Sequence, residues 1–401
     1  MRILLALPHY PNPDEGAAGV TLRLAEAYRR LGHQAEVSVL NDFAIGRSNT
    51  WATLAFPLRL SRRYRAKIAR GEYDVVDTAG FAGCALGVHW PADGRALLVM
   101  RSHGLEHCYY RAHREEARAA GRPLGWKYRA FMRAAILPMT ALAMRRAGLA
   151  LLLNREEMEF AARRLGVARE RMCLVPNGID AAMLGLPFAP TPMGPQETLR
   201  IAWIGAWQPR KGPRYAVLAL SKLMARFASL EATLLGTGCD AEAVLGEFPA
   251  ALRSRLKVVP RYENRDLPAL LAGHQIELMT SVIEAFGVAQ VEAMACGLAP
   301  VAPAIGGPLE VVADGRDGLL VAPRDARAAA DAVARLIEDR ALLDALRRHA
   351  QAKAQRFGWE AVARLNLDLY EEFLAHRGTR RPRVDAAAVD NPIRSASNLA
   401  R

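Results

Sequence analysis

Cysteine is scarce in this 401-residue chain, and its few cysteines show no arrangement suited to pairing or metal binding. Their number is odd, and no Cys-x-x-Cys spacing occurs among Cys84, Cys108, Cys173, Cys239 and Cys296. The sequence therefore predicts neither a disulfide framework nor a zinc site, and it favours a reducing compartment.

Long apolar runs are also missing. The best candidate for a membrane span, residues 134–153, is interrupted by Pro138 and by the pair Arg145-Arg146, whereas a span needs about 20 consecutive apolar residues. The N-terminus enters a strand-like run at once and does not resemble a signal peptide. We therefore expect a cytoplasmic protein.

Acidic residues are too few to balance the basic ones. The chain has 54 Lys and Arg against 41 Asp and Glu, which gives a net charge of +13. Part of the excess is concentrated in 59–70 and 111–146. An anionic partner is expected: nucleic acid, a sugar nucleotide or an anionic membrane face. No helix-turn-helix, zinc-finger or aromatic RNA-binding signature is present, so nucleic acid is not the expected partner.

Strand-like and helix-like runs alternate in two series, which predicts an α/β protein with parallel sheets covered by helices. Prolines crowd the segment between the two series, and this segment is the clearest boundary in the sequence. The expected parts are an N-terminal domain (1–183), a linker (184–198), a C-terminal domain (199–357), a final helix (358–376) and a disordered basic tail (377–401).

The most informative segment follows the strand-like run Ile276–Thr280. A glycine turn comes next, and a helical pattern starts at about Val288. Such a helix start offers free backbone N–H groups and a partial positive charge, which suit a phosphate. Two carboxylates bracket the helix start, Glu284 before it and Glu292 inside it. This combination is suited to a sugar nucleotide.

The segment from Glu284 to Gly297 reads Glu-Ala-Phe-Gly-Val-Ala-Gln-Val-Glu-Ala-Met-Ala-Cys-Gly. It resembles the signature of the retaining glycosyltransferases of family four (glycosyl transferases group 1), which have the GT-B fold. The resemblance implies that Glu284 holds the hexose hydroxyls and that Glu292 holds the nucleotide ribose. It also implies that the backbone N–H groups of Phe286, Gly287 and Val288 hold phosphate.

A leaving diphosphate can be stabilised by a metal on an Asp-x-Asp pair, and the sequence contains no such pair. Without a metal, the charge must fall on Lys, Arg and helix N-termini. The segment Gly205–Gly212 resembles the family's diphosphate loop, with Lys211 in place and Ala206 where arginine is usual. Arg210 could replace the missing charge. No metal and no other cofactor is expected.

The resemblance also implies how the chain is organised. Two doubly wound, Rossmann-like domains would face each other across a cleft, and the C-terminal helix would cross back to the N-terminal domain. Gly16 and Gly19 would form a glycine-rich loop that faces the donor, and His103 would contact the sugar or orient the acceptor. His9 is a weaker candidate, and an ordinary helix cap or a structural histidine remains an alternative at these positions.

The expected activity is transfer of a hexosyl group from a nucleoside-diphosphate sugar, with retention of configuration, to a saccharide or lipid-linked acceptor. The basic N-terminal domain favours peripheral binding at the inner membrane face. A catalytically degenerate relative that serves as a binding or scaffold subunit is the alternative, and Ala206 is the feature that favours it. The sugar, base and acceptor stay open.

Overall fold

The computed structural model describes residues 1–12, 16–43, 49–91, 95–191, 194 and 197–376. Within it the chain forms two compact units. Of the described residues, the first unit contains those within 1–111, 123–178 and 359–376, and the second contains those within 112–122 and 179–358. The predicted basic tail and four residues of the predicted linker lie outside the described residues.

The first unit is built on a six-stranded parallel sheet in the order β2-β1-β3-β4-β5-β6. Several of its strands are buried along nearly their whole length, which is why they appear in the sequence as apolar runs without alternation. The strands are β1 (Arg2–Leu7), β2 (Gln34–Val39), β3 (Val75–Ala79), β4 (Leu97–Arg101), β5 (Leu149–Leu152) and β6 (Met172–Leu174).

Helices cover both faces of this sheet and bury a separate apolar cluster on each. The helices between the strands of this sheet are α1 (Gly16–Arg30), α2 (Asn49–Ala69), α3 (Cys84–Val88), α4 (Glu106–Ala119), α5 (Trp126–Phe131), α6 (Leu137–Arg146) and α7 (Arg155–Leu165), and the residues of α4 from Ala112 onward are counted with the second unit. In α2 the residues Phe56, Leu60 and Tyr64 recur every fourth position and are buried. This spacing places them on one face of the helix, against the sheet.

The second unit has its own six-stranded parallel sheet, in the order β12-β11-β10-β7-β8-β9. Its strands are β7 (Arg200–Ile204), β8 (Glu231–Leu235), β9 (Leu256–Val259), β10 (Ile276–Leu278), β11 (Ala299–Pro303) and β12 (Leu319–Val321). The strand β7 lies between β8 and β10. The chain continues from β7 to β8 on one side, and β10 later pairs with β7 on the other side. Open parallel sheets bind ligands at such a point, outside the carboxyl ends of the strands.

The helices of the second unit again cover the sheet, and one large apolar cluster joins strands β7, β8 and β10 to their helices. They are α8 (Pro213–Arg226), α9 (Ala241–Gly246), α10 (Leu267–Leu271), α11 (Val288–Ala295), α12 (Gly306–Val311), α13 (Ala326–Glu338) and α14 (Arg340–Ala354). The described part of the chain contains no helix with both the length and the apolarity needed to cross a bilayer.

The last described helix, α15 (Trp359–Ala375), packs in the first unit against α1 and the sheet. A buried polar network fixes it there. The Tyr370 hydroxyl donates to Asp77 at 2.6 Å, and the Arg101 guanidinium donates to the same carboxylate at 2.7 Å. Because the Asp77–Arg101 pair is buried, each charge depends on the other for compensation.

Two parts of the sequence-based assignment were wrong. The helical pattern of the sequence predicts a helix over 61–70 only, whereas α2 begins at Asn49 and contains Pro57. Burial of the apolar face of α2 outweighs the local cost of the proline. The sequence pattern also predicts no helix between β4 and β5, where α4, α5 and α6 lie.

We expect Asp77→Ala to destabilise the first unit by about 3–5 kcal/mol, because it leaves the buried Arg101 charge without its carboxylate. The measurement is urea unfolding followed by circular dichroism. The matched control is Glu72→Ala, since Glu72 pairs with Arg70 at 2.6 Å but both side chains are exposed. The control should cost less than about 1 kcal/mol. Equal costs for the two variants would show that the buried network does not anchor α15.

Candidate functional site

The loop after β7 is held against the loop after β10. The Val282 N–H donates to the carbonyl of Arg210 at 2.9 Å, and the Thr280 hydroxyl donates to the carbonyl of Lys211 at 3.0 Å. Gly212 has a φ of +66°, and a Cβ there would lie 2.0 Å from the carbonyl oxygen of Thr280. Only glycine allows this close approach. The two loops therefore have a fixed relative position.

This packing brings together two residues that the sequence singled out. The Lys211 ammonium lies 2.5 Å from Oε2 of Glu284, and the two side chains are only 12% and 10% exposed. The hydroxyl of Ser281 lies 3.4 Å from the same oxygen. Gly205 lies beside the lysine, since a Cβ there would be 3.3 Å from Cδ and Cε of Lys211. The result is a largely buried ion pair at the carboxyl ends of β7 and β10.

The predicted helix after this point is α11, and its start agrees with the prediction. Gly287 is the N-cap residue with a φ of +91°, Val288 is the first helical residue, and no side chain in the described part of the chain caps the helix. Gly307 packs on the backbone of Phe286, and its N–H donates to the carbonyl of Glu284 at 2.8 Å. An N-terminus without a side-chain cap keeps its N–H groups and partial positive charge available to an anion.

Glu292 lies on α11, about one turn after the helix start, and it is buried. The side-chain amide of Asn264 donates to its Oε1 at 3.0 Å. The next turn carries Cys296, where burial together with the charge of Glu292 raises the pKa of the thiol to about 12. Glu292 is therefore an oriented hydrogen-bond acceptor within the same unit as Lys211 and Glu284.

Arg210 is next to this pair and is half-buried. Among the described residues, its guanidinium has neither a hydrogen-bond nor an ion-pair partner, whereas its carbonyl fixes the neighbouring loop. Ala206, the departure from the usual arginine, lies in the same loop and its carbonyl accepts from Gln208 N–H at 2.7 Å. Arg210 is therefore a cation near Lys211, although the loop has Ala206 at the position where the sequence comparison expects arginine.

His103 belongs to the first unit and follows β4. Burial lowers its pKa to about 3, and the charges of Arg101 and His9 add to this effect. The imidazole is therefore neutral at physiological pH. Both ring nitrogens are buried, and neither has a hydrogen-bond partner among the described residues. A neutral imidazole with one donor and one acceptor nitrogen is suited to a hydroxyl group.

Gly16 and Gly19 do not form a loop before a helix, contrary to the prediction. Both lie in the first turns of α1, which begins at Gly16. The predicted loop also included Asp14 and Glu15, which lie outside the described residues, and Ala17 and Ala18, which lie in α1. The small residues that suggested a loop are compatible with a helix that packs closely, since Gly19 is buried.

Three polar residues of this region were not predicted from the sequence: Glu277 on β10, Gln290 on α11, and Asn264 before α10. Glu277 is buried, and burial raises its pKa to about 8. One signal was available, because a single acid within the apolar run Ile276–Thr280 is unusual for a buried strand. Within the described residues, no group of three His, Cys, Asp or Glu side chains forms a metal site.

Sequence models of two related families match consecutive parts of the chain. The model described as Glycosyltransferase Family 4 matches residues 15–182, and the model described as Glycosyl transferases group 1 matches residues 198–339. The D-inositol 3-phosphate glycosyltransferase of Salinispora tropica is 33% identical over 196 residues, which is 46% of this chain and 41% of that protein. The chain spans between 41% and 57% of the length of the first curated relatives that it matches.

Solved structures show the same fold. Sucrose-phosphate synthase from Thermosynechococcus elongatus superposes with a TM-score of 0.72 at 20% identity, over 94% of this chain and 100% of that chain. The Anabaena protein HepE in complex with UDP-glucose gives a TM-score of 0.64 at 21% identity, over 92% of this chain and 100% of that chain. The predicted two-domain α/β architecture of the GT-B type is confirmed, and the chain belongs to the group 1, family 4 glycosyltransferases.

Proposed function

We propose that the protein transfers a hexosyl group from a nucleoside-diphosphate sugar to a saccharide or lipid-linked acceptor, with retention of configuration and without a metal. The observation that carries this proposal is the Lys211–Glu284 pair at the uncapped start of α11, with Glu292 one turn further along. The backbone N–H groups suit the diphosphate of such a donor, and the cation suits the negative charge that develops on it as it leaves. The two carboxylates suit the hydroxyls of its sugars.

In this proposal the diphosphate binds at the backbone N–H groups around Val288, where the helix dipole stabilises negative charge. Lys211 adds a full positive charge, and the guanidinium of Arg210, which has no partner among the described residues, adds a second one. Together they compensate the charge that develops on the diphosphate as the bond to the sugar breaks. Fixed charges and dipoles of this kind supply much of the rate acceleration in enzymes.

The two glutamates would orient the donor. Glu284 would accept hydrogen bonds from hexose hydroxyls, and Glu292, held by Asn264, would accept from the ribose. In the resting protein Glu284 is the partner of Lys211, so the donor has to replace that ion pair with two new interactions. Lys211 would turn to the diphosphate while Glu284 turns to the sugar.

Retention of configuration is proposed from the family resemblance. In that reaction the acceptor oxygen attacks the anomeric carbon from the side of the leaving phosphate. The bond from the anomeric carbon to that phosphate breaks, and a departing phosphate oxygen takes the proton of the acceptor. His103, a neutral imidazole, would hydrogen-bond a hydroxyl and would not carry the proton, because its pKa of about 3 makes it a poor base.

The alternative is a binding or scaffold protein that has lost catalysis. Ala206 favours it, because the diphosphate loop lacks its usual arginine. Retention of Lys211, Glu284 and Glu292 in one unit opposes it, since a scaffold does not require all three. Turnover of a sugar nucleotide separates the two functions, because a scaffold would bind the donor without consuming it.

We expect Lys211→Ala to lower turnover by a factor on the order of 10²–10³, because it removes a charge that stabilises the leaving diphosphate. The measurement is release of nucleoside diphosphate from the sugar nucleotide that the wild-type protein consumes, selected from a panel of UDP-, GDP- and ADP-sugars. The control is Lys222→Ala, which removes an exposed lysine of α8 that pairs with Asp331 at 2.6 Å. Near-wild-type turnover in Lys211→Ala would reject the assignment.

We also propose that the acceptor lies at an anionic membrane. The evidence for this part of the proposal is the surface of the first unit. Helix α2 exposes 73% of Trp51 together with several arginines in 59–70, and α5 exposes 68% of Trp126 beside Lys127 and Arg129. Exposed tryptophans among basic residues are typical of surfaces that bind the interface of anionic lipids.

We expect the protein to sediment with vesicles of phosphatidylglycerol and not with vesicles of phosphatidylcholine. The double variant Trp51→Ala/Trp126→Ala should lower the bound fraction several-fold, since it removes both apolar anchors. Leu218→Ala is the control, because Leu218 is a 62% exposed apolar side chain that lies on α8 of the second unit. Equal binding to neutral and anionic vesicles would exclude this part of the proposal.

A further inference from the structure

A pocket with a volume of about 410 Å³ lies in the second unit, at the amino ends of its strands. Its lining includes the first residue of each of three neighbouring strands: Arg200 of β7, Glu231 of β8 and Leu256 of β9. The Lys211–Glu284 pair lies instead at the carboxyl ends of β7 and β10. Because β7 has five residues and a strand advances about 3.3 Å per residue, the two ends of β7 are about 13 Å apart. The pocket is therefore separate from the proposed donor site.

The register of the sheet explains why this edge is polar. Arg200 is paired with Glu231, and Thr233 is paired with Lys257. Residues that are paired across neighbouring parallel strands point to the same face of the sheet, and residues two positions apart on one strand do so as well. The four side chains therefore share one face, and all of them line the pocket.

The buried part of the pocket contains a hydrogen-bonded pair of polar side chains. Nε2 of His274 lies 2.9 Å from the hydroxyl oxygen of Thr233, and the two residues are only 6% and 7% exposed. Burial lowers the pKa of His274, so its imidazole is neutral at physiological pH. The charge of the pocket is therefore set by its other side chains.

Three cations and one carboxylate line the pocket, so its net charge is +2. The Arg255 guanidinium is occupied by backbone carbonyl oxygens at and just after the C-terminal end of α8. Nε of Arg200 donates to Glu231 at 2.9 Å. Among the described residues, neither the Lys257 ammonium nor the Ser254 hydroxyl has a hydrogen-bond or ion-pair partner. These two donor groups are available to a ligand.

The composition of the pocket fits a small dianion with a carbon skeleton. A phosphomonoester carries a charge of about −1.5 to −2 at pH 7 and presents three acceptor oxygens, so it compensates the net charge of the pocket better than a carboxylate does. The volume is within the range of about 300–1,000 Å³ that is typical of small-molecule sites. It therefore leaves room for a skeleton beside the phosphate, and an apolar wall for that skeleton is formed by Ala269, Leu270 and Ala272.

We propose that this pocket is a second ligand site of the protein and that its ligand is a phosphomonoester of a small polyhydroxy compound. The ammonium of Lys257 and the guanidinium of Arg200 bind the phosphate, with the Ser254 hydroxyl as a further donor. Glu231 accepts a hydrogen bond from a hydroxyl group of the ligand, which distinguishes such a compound from free phosphate. The inference does not rest on the proposed function, because the pocket contains none of the residues to which that function assigns a role.

Ligand-observed NMR tests whether the protein binds this class of compound. The probes are ribose 5-phosphate and glycerol 3-phosphate, and the reference compounds are ribose, glycerol and inorganic phosphate. We expect at least one ester to bind, the uncharged compounds not to bind, and inorganic phosphate to bind more weakly, because it offers no alcohol hydroxyl to Glu231. Absence of binding by both esters at concentrations up to about 10 mM, or equally tight binding of inorganic phosphate, would overturn the inference.

Lys257→Ala should weaken binding of the ester about tenfold, because it removes a charged donor to the phosphate. The side chain is exposed, so the variant should keep the fold, which circular dichroism checks. The matched control is Lys222→Ala, which lowers the charge of the same unit equally at an exposed lysine of α8. Unchanged affinity in Lys257→Ala, or equal losses in both variants, would overturn the inference, because the ester would then bind elsewhere or through the overall charge alone.

Two further variants test the location independently. Glu231→Gln removes the negative charge of the pocket while its amide oxygen still accepts a hydrogen bond, so it should tighten binding several-fold, and weaker binding would contradict the inference. Lys211→Ala changes the proposed donor site and should leave the affinity for the ester unchanged. Loss of binding in that variant would place the ester at the donor site. Absence of ester binding would leave the proposed function standing, since sugar-nucleotide turnover is measured separately.

Discussion

The interaction on which the proposed donor site depends is the ion pair between Lys211 and Glu284. Both side chains are nearly buried, so neither charge is well compensated by water and each requires the other in the resting protein. A ligand that brings two negative charges and several hydroxyls can replace this pair, because it offers a new partner to each side chain. The pair therefore keeps the site folded without a ligand and leaves it able to exchange partners.

The topology of the second sheet makes this pair possible. Strands β7 and β10 are neighbours in space although more than 70 residues separate their starts in sequence, and the loops that follow them meet at one edge. Gly212 lets the two backbones touch, and the Thr280 hydroxyl links Lys211 to Trp203 through hydrogen bonds of 3.0 Å and 2.9 Å. The geometry of the charges thus derives from a rigid scaffold, as precise sites require.

Much of the fold and part of the site could be predicted from the sequence. The features that could be predicted depend on neighbouring residues, and those that could not depend on contacts between distant parts of the chain. The strands were visible as apolar runs, and the start of α11 was visible from Gly287, because both depend on neighbouring residues. The position of Gly16 within a helix and the long helix around Pro57 depend on packing, which overrides local propensity. Glu277 was missed because the sequence of its own strand does not show which residues the fold places around it.

In a structure of the protein with the sugar nucleotide that it consumes, the position of the Lys211 ammonium shows whether the donor replaces the ion pair. We predict that Nζ of Lys211 leaves Glu284 and lies about 3 Å from a diphosphate oxygen, while Glu284 accepts a hydrogen bond from a hexose hydroxyl. A complex in which Lys211 stays on Glu284 and the diphosphate binds elsewhere would contradict it.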